Sequence, residues 1–143
     1  MAMTVLDLFA GCGGLSVGFE QAGFKVIAGV DYDEPALNTF KHNHRGSHSI
    51  HLDLSKDDAM DQIRSRIGAE TKIDLITGGP PCQGFSGIGI RRSYSVDKKQ
   101  LPSNHLYQDM AFFVHQIKPK IFLFENVEGL MSARWTKDGV KGE

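Results

Sequence analysis

Short apolar runs rich in β-branched and aromatic residues alternate with helix-spaced segments along almost the whole chain, and this alternation restricts the fold more than any other feature. The runs are Thr4 to Phe9, Val26 to Val30, Ile50 to Leu52, Ile73 to Thr77 and Ile121 to Phe124. Between them Leu15, Phe19 and Ala22, then Leu37 and Phe40, then Met60, Ile63 and Ile67, and last Met110, Phe113, Val114 and Ile117 recur at helical spacing. Strands joined through helices pair in parallel, and right-handed crossovers put the helices on both faces of the sheet. The pattern predicts an α/β, Rossmann-like, doubly wound, mainly parallel sheet with five strands. Punctuation agrees: Gly23 suits a helix C′ position, Pro35 a first turn and Pro119 a helix stop, and Ser55 with Asp58 resembles a capping pair.

The chemistry-bearing residues follow the strand ends, where open parallel sheets bind ligands. After the fourth run comes Gly78-Gly79-Pro80-Pro81-Cys82-Gln83-Gly84-Phe85-Ser86. The prolines fix φ at two positions and the glycines let backbone approach a ligand, so Cys82 reads as a reactive thiol on a stiff platform rather than a core residue. The first run ends in Ala10-Gly11-Cys12-Gly13-Gly14. A dinucleotide fingerprint would need a third glycine where Ser16 stands, so a pyrophosphate is not specifically indicated. Asp31, 20 positions after Gly11, is placed to accept ribose hydroxyls, and Tyr32 to stack on a base. Asp53 and Glu125 also follow strand ends.

The 143 residues fit one domain, spanning residues 4–131 with a polar tail over 132–143, and a net charge of −1 leaves no basic surplus for holding DNA over many phosphates. Only the polar stretch from Gly87 to Ser103, with Arg91, Arg92, Lys98 and Lys99, concentrates positive charge. Two cysteines in glycine-rich loops point to free thiols in a reducing compartment, and no run is long and apolar enough for a membrane span; a cytoplasmic protein is expected. His42, His44, His48 and His51 match no zinc spacing and read as solvated surface, with no metal site expected.

Taken together, Asp7-Leu-Phe-Ala-Gly-Cys-Gly-Gly14, the Pro-Pro-Cys82-Gln loop and Glu125-Asn126-Val127 resemble the C5-cytosine DNA methyltransferases, in that family's order and at similar separations. The resemblance runs from Thr4 to about Met131. It implies an S-adenosylmethionine loop at Phe9, Gly11, Cys12, Gly13 and Gly14, a ribose contact at Asp31, and adenine contacts at Tyr32, Asp53 and Leu54, with Leu106 touching the cofactor. Cys82 is implied as the nucleophile toward C6 of a cytosine flipped out of double-stranded DNA, and Glu125 as the partner of its N3 and amine. Pro81, Gln83, Ser86, Arg91, Arg92 and Asn126 would face DNA, in a restriction-modification setting. Ser103 stands where the family usually has arginine. The family chain also continues into a Gln-x-Arg-x-Arg motif and a target-recognition region that this sequence lacks. The resemblance therefore implies a sheet stopping after the fifth strand, and a second subunit or missing region to complete it. A non-catalytic module that binds S-adenosylmethionine or DNA is the alternative.

Overall fold

The computed structural model describes residues 1–81 and 106–132. Five strands, β1 (Thr4–Leu8), β2 (Lys25–Asp31), β3 (His48–His51), β4 (Leu75–Gly78) and β5 (Ile121–Phe124), pair in parallel in the order β3-β2-β1-β4-β5. Helices α1 (Gly14–Gln21), α2 (Glu34–Asn43), α3 (Ala59–Ile67) and α4 (Leu106–Ile117) alternate with them, and Glu128–Ser132 forms a closing 3-10 turn. The chain winds outward from β1 through β2 to β3, then returns to place β4 on the other side of β1. That reversal makes the β1/β4 ends a topological switch point, which is where such sheets open a crevice.

Period-two alternation sends successive side chains of β1 to opposite faces. Leu6 and Leu8 join Ile76, Ile63, Met110 and Phe113 in one core layer under α3 and α4, while Val5 joins Leu75, Leu37 and Phe40 in the other, beneath α1 and α2. Phe40 is wholly buried, worth about 2–3 kcal/mol relative to exposure. Its ring occupies the place a Cβ at Gly29 would take, so Gly29 is what lets α2 lie this close to β2. At the opposite end of the sheet, Asp74 accepts from the Thr4 amide at 3.1 Å and pairs with Lys120 at 3.1 Å and Lys72 at 3.2 Å. The Thr4 amide first, then Lys120, holds the Asp74 carboxyl well below the usual carboxylate range, tying the starts of β1, β4 and β5 together.

The expected fold class and element order stand, with three local corrections. Ser55 does not cap α3: its hydroxyl donates to Asp53 Oδ1 at 2.7 Å, and Asp58 occupies the cap position without a side-chain cap bond. An Asx-type turn at Asp53 competes for the serine and wins. β4 begins two residues later than the apolar run and extends through Gly78. On α1 the buried residue is Ser16, with Leu15 and Phe19 only partly covered.

Candidate active site

β1 leaves the sheet through Phe9, at φ 57°, into Gly11 at φ 53° and Gly13 at φ 90°. Glycine tolerates this left-handed path, and a Cβ at Gly13 would also strike His44 and Phe40. At Gly11 and Gly14 a Cβ would project into open space. The loop thus presents bare backbone over the switch point and runs directly into the N-terminus of α1, whose first amides lack intrahelical acceptors.

Asp31 holds this loop from β2. Its Oδ2 accepts from the Gly11 amide at 2.8 Å and its Oδ1 from the Asp33 amide at 3.0 Å. Each oxygen retains acceptor capacity for a ligand hydroxyl. Tyr32 is 67% exposed beside it, its carbonyl 2.8 Å from His51 Nε2. Asp53 is exposed, and its bonds from the Ser55 hydroxyl and amide hold its carboxyl below the ordinary range. Asp109, on the first turn of α4 with Leu106, has its carboxyl pushed up by burial and then by the charge of Asp53. The Leu54 side chain is buried in the core with Leu52 and Ile50.

On the other side of the switch point, the Glu125 amide donates to the Gly78 carbonyl at 3.0 Å and Asn126 Nδ2 to the Pro80 carbonyl at 3.2 Å. A Cβ on Gly79 would lie 2.6 Å from Glu125 Oε2. The Gly-Gly-Pro-Pro lead-in and the Glu125-Asn126 turn are therefore packed into one unit, with the Glu125 carboxylate against Gly79. Pro81 ends this described stretch; Cys82, Gln83, Ser86, Arg91 and Arg92 lie outside the described residues.

Two features escaped the sequence reading. Ser16, where a fingerprint glycine would stand, is fully buried and donates to Asp7 Oδ2 at 2.6 Å. Burial outweighs that bond and pushes the Asp7 carboxyl up to about 6. His44, expected on the solvated surface, is 2% exposed. It sits at the C-cap of α2 and folds back under the glycine loop, a placement no spacing rule reveals. His42, His48 and His51 are exposed as expected, and among the described residues no cluster could hold a metal.

Comparison with known proteins supplies the lineage. The profile described as C-5 cytosine-specific DNA methylase matches residues 3–138. The chain belongs to that family. The type II methyltransferase M.AgeI of Thalassovita gelatinovora is 42% identical over 131 residues, covering 91% of this chain and 29% of that protein. M.HgiGI of Herpetosiphon aurantiacus is 42% identical over 128 residues, covering 88% of this chain and 91% of that one. A crystal structure of a DNA modification methyltransferase encoded within an E. coli prophage superposes with a TM-score of 0.75 at 38% identity, over 91% of this chain and 33% of the other. The S. pombe Dnmt2 methyltransferase shares the fold, with a TM-score of 0.64 at 19% identity over 94% of this chain and 37% of that one. The chain spans about a third of the length of the first curated relatives it matches.

The cofactor that goes with this methylase family is S-adenosylmethionine, and the site fits it. Bare backbone at Gly11 and Gly14 leaves room for a ligand, the Asp31 carboxylate keeps free lone pairs for ribose hydroxyls, and the exposed Tyr32 ring offers a stacking face. Carboxylates at Asp31, Asp53 and Asp109 suit a ligand that carries positive charge better than an anionic pyrophosphate.

Proposed function

We propose that this chain supplies the cofactor site and the nucleophile of a DNA (cytosine-5)-methyltransferase, within one domain spanning residues 4–131. The observation that carries the reading is the junction at the switch point, where the Glu125 carboxylate lies against Gly79, three residues before Cys82. A cytosine is the substrate that needs both groups. C5 of the ring is a weak nucleophile until C6 is bonded to a thiolate, so Cys82 Sγ attacks C6 while Glu125 hydrogen-bonds N3 and the exocyclic amine, where charge develops. S-adenosylmethionine, when bound, would supply the electrophilic methyl group that C5 of the adduct takes up, the sulfonium sulfur keeping the S–CH3 bonding pair as a neutral thioether. Loss of the C5 proton to a base then returns the electron pair that expels the Cys82 thiolate. Reaching C6 requires the cytosine to leave the duplex stack. On this reading Pro81, Gln83, Ser86, Arg91, Arg92 and Asn126 would be the residues that face DNA.

Phe9, Gly11, Cys12, Gly13 and Gly14 would cradle the cofactor, with Asp31 on the ribose, Tyr32, Asp53 and Leu54 at the adenine, and Leu106 closing the edge. Asp31→Ala is expected to weaken S-adenosylmethionine by about 1–3 kcal/mol in calorimetry, because ribose hydroxyls lose a charged acceptor and the Gly11 and Asp33 amides lose theirs. Asp31→Asn should fall between the two. Equal affinities for Asp31→Ala and parent would remove Asp31 from the site, and tight NAD binding by the parent would point to a dinucleotide enzyme.

β5 bears on what completes the enzyme. Among the described residues it pairs with β4 alone, and Ile121, Phe122 and Leu123 are 50%, 60% and 40% exposed. Such an edge recruits strands. The region that makes up the remaining length of the relatives, in the same polypeptide or in a second subunit, would extend the sheet here and bring the means to read DNA. Adding that region in trans is expected to raise the chain's thermal midpoint and suppress its aggregation; an unchanged midpoint would count against this assignment of β5.

A further inference from the structure

His44 ties three elements together from beneath the glycine loop. Its backbone amide donates to the Phe40 carbonyl at 2.8 Å as the C-cap of α2, and its ring stacks on Phe40 with centroids 4.4 Å apart. Nδ1 lies 2.9 Å from Glu20 Oε2 on α1, and Nε2 lies 3.2 Å from the Gly13 carbonyl oxygen. Both neighbours are acceptors, so each is a place for a ring N–H to donate. The ring also occupies the space that a Cβ on Gly13 would need. Gly13 is the N-cap of α1; its carbonyl also accepts from the Val17 amide at 3.0 Å, and its own amide donates to the Ala10 carbonyl at 2.9 Å.

We infer that His44 is a positioning residue for the cofactor loop: its buried ring, oriented by Glu20, holds the Gly13 carbonyl from the side that the Val17 amide leaves open and so adds to what fixes the direction of the loop amides that meet the cofactor. A carbonyl held from below sets the plane of the Gly13–Gly14 peptide, because that peptide is rigid. The amide of Gly14 then projects from the opposite edge of the same plane, toward the start of α1. Phe40 supplies the floor on which the ring rests, and Gly29 the room for that floor. Neither His44 nor Glu20 touches the cofactor in this arrangement; they act through Gly13.

The inference rests on the proposed cofactor site, and two measurements on the 143-residue chain separate them. Calorimetry with S-adenosylmethionine, run well below each variant's thermal midpoint, tests affinity; amide chemical shifts of Gly11, Gly13 and Gly14 in the cofactor-free protein test the loop alone. His44→Phe keeps a ring over Phe40 and removes both ring nitrogens. It is expected to weaken the cofactor about tenfold and to move the three loop amides, which is the loss of roughly one charge-assisted hydrogen bond. His44→Gln, which retains an N–H for the Gly13 carbonyl, should recover most of that affinity. Glu20 is partly exposed, so Glu20→Ala folds even where a core change does not; it should weaken binding about threefold to tenfold with little change in thermal midpoint. A role in stability alone would lower the midpoint of His44→Phe while leaving its affinity and loop amides as in the parent, and that result would overturn the inference. So would parental affinity in Glu20→Ala, or equal losses in His44→Phe and His44→Gln. A parent that binds no S-adenosylmethionine would instead sink the cofactor assignment, with the amide shifts still reporting on His44.

Discussion

Cys82→Ser is expected to abolish a covalent protein–DNA complex that the parent forms on a duplex carrying 5-fluorocytosine at the target position. The thiolate bonds to C6 and the methyl group is accepted at C5, but fluorine cannot depart as a cation, so the step that would release the enzyme stalls and the complex survives denaturing electrophoresis. A serine hydroxyl ionises far less readily than a thiol near neutral pH and does not add. The reaction needs S-adenosylmethionine and the remaining region of the relatives' architecture supplied in trans, since one short basic stretch cannot hold a duplex and a flipped base. Cys12→Ser should leave the complex intact: Cys12 is an exposed thiol in the glycine loop, on the cofactor side of the switch point. Adduct persisting in Cys82→Ser and vanishing in Cys12→Ser would reverse the assignment. Absence of adduct under every complementation would favour a module that binds without turnover.

The second large effect concerns stability. Asp7 is 1% exposed, and among the described residues neither its Oδ1 nor Thr77 Oγ1, on the residue in register across β1 and β4, has a hydrogen-bond partner. Burial raises the carboxyl from 3.8 to about 6, against the lowering exerted by the Ser16 hydroxyl and then by His44. The folded chain therefore binds this proton more tightly than the unfolded chain. Stability contributed at Asp7 is fully present below about pH 4, is lost as pH rises through about 6, and above that the ionised group costs on the order of 3 kcal/mol. Asp7→Asn should remove this dependence, because an amide keeps an acceptor for Ser16 and needs no charge. At pH 7.5 the variant is expected to gain several degrees in thermal midpoint over the parent, and at pH 4 almost none. A midpoint lowered by Asp7→Asn at both pH values would show that the carboxylate is compensated in a way the Ser16 hydrogen bond and the charge influence of His44 do not account for.

What the sequence by itself determined was local. Period-two and helical patterns needed only neighbouring residues to specify strands and helices, and they placed Phe9, Asp31, Asp53, Pro81 and Glu125 correctly at strand ends. The place of Asp31 was legible because a carboxylate at that distance from a glycine turn falls at the tip of β2 whenever the unit is βαβ. Tertiary structure decided the rest through contacts between residues far apart in the chain. Side-by-side placement of β1 and β4, which makes the switch point, depends on strand pairing that no local pattern encodes. Glu125 reaches Gly79 only because β5 lies beside β4. Ser16 looked like a missing glycine, and became a hydroxyl donor once α1 packed it over Asp7. His44, one of several histidines in a polar run, was drawn inside because the left-handed turn at Gly13 leaves a space without a Cβ, and an imidazole ring that meets Glu20 and the Gly13 carbonyl fills it.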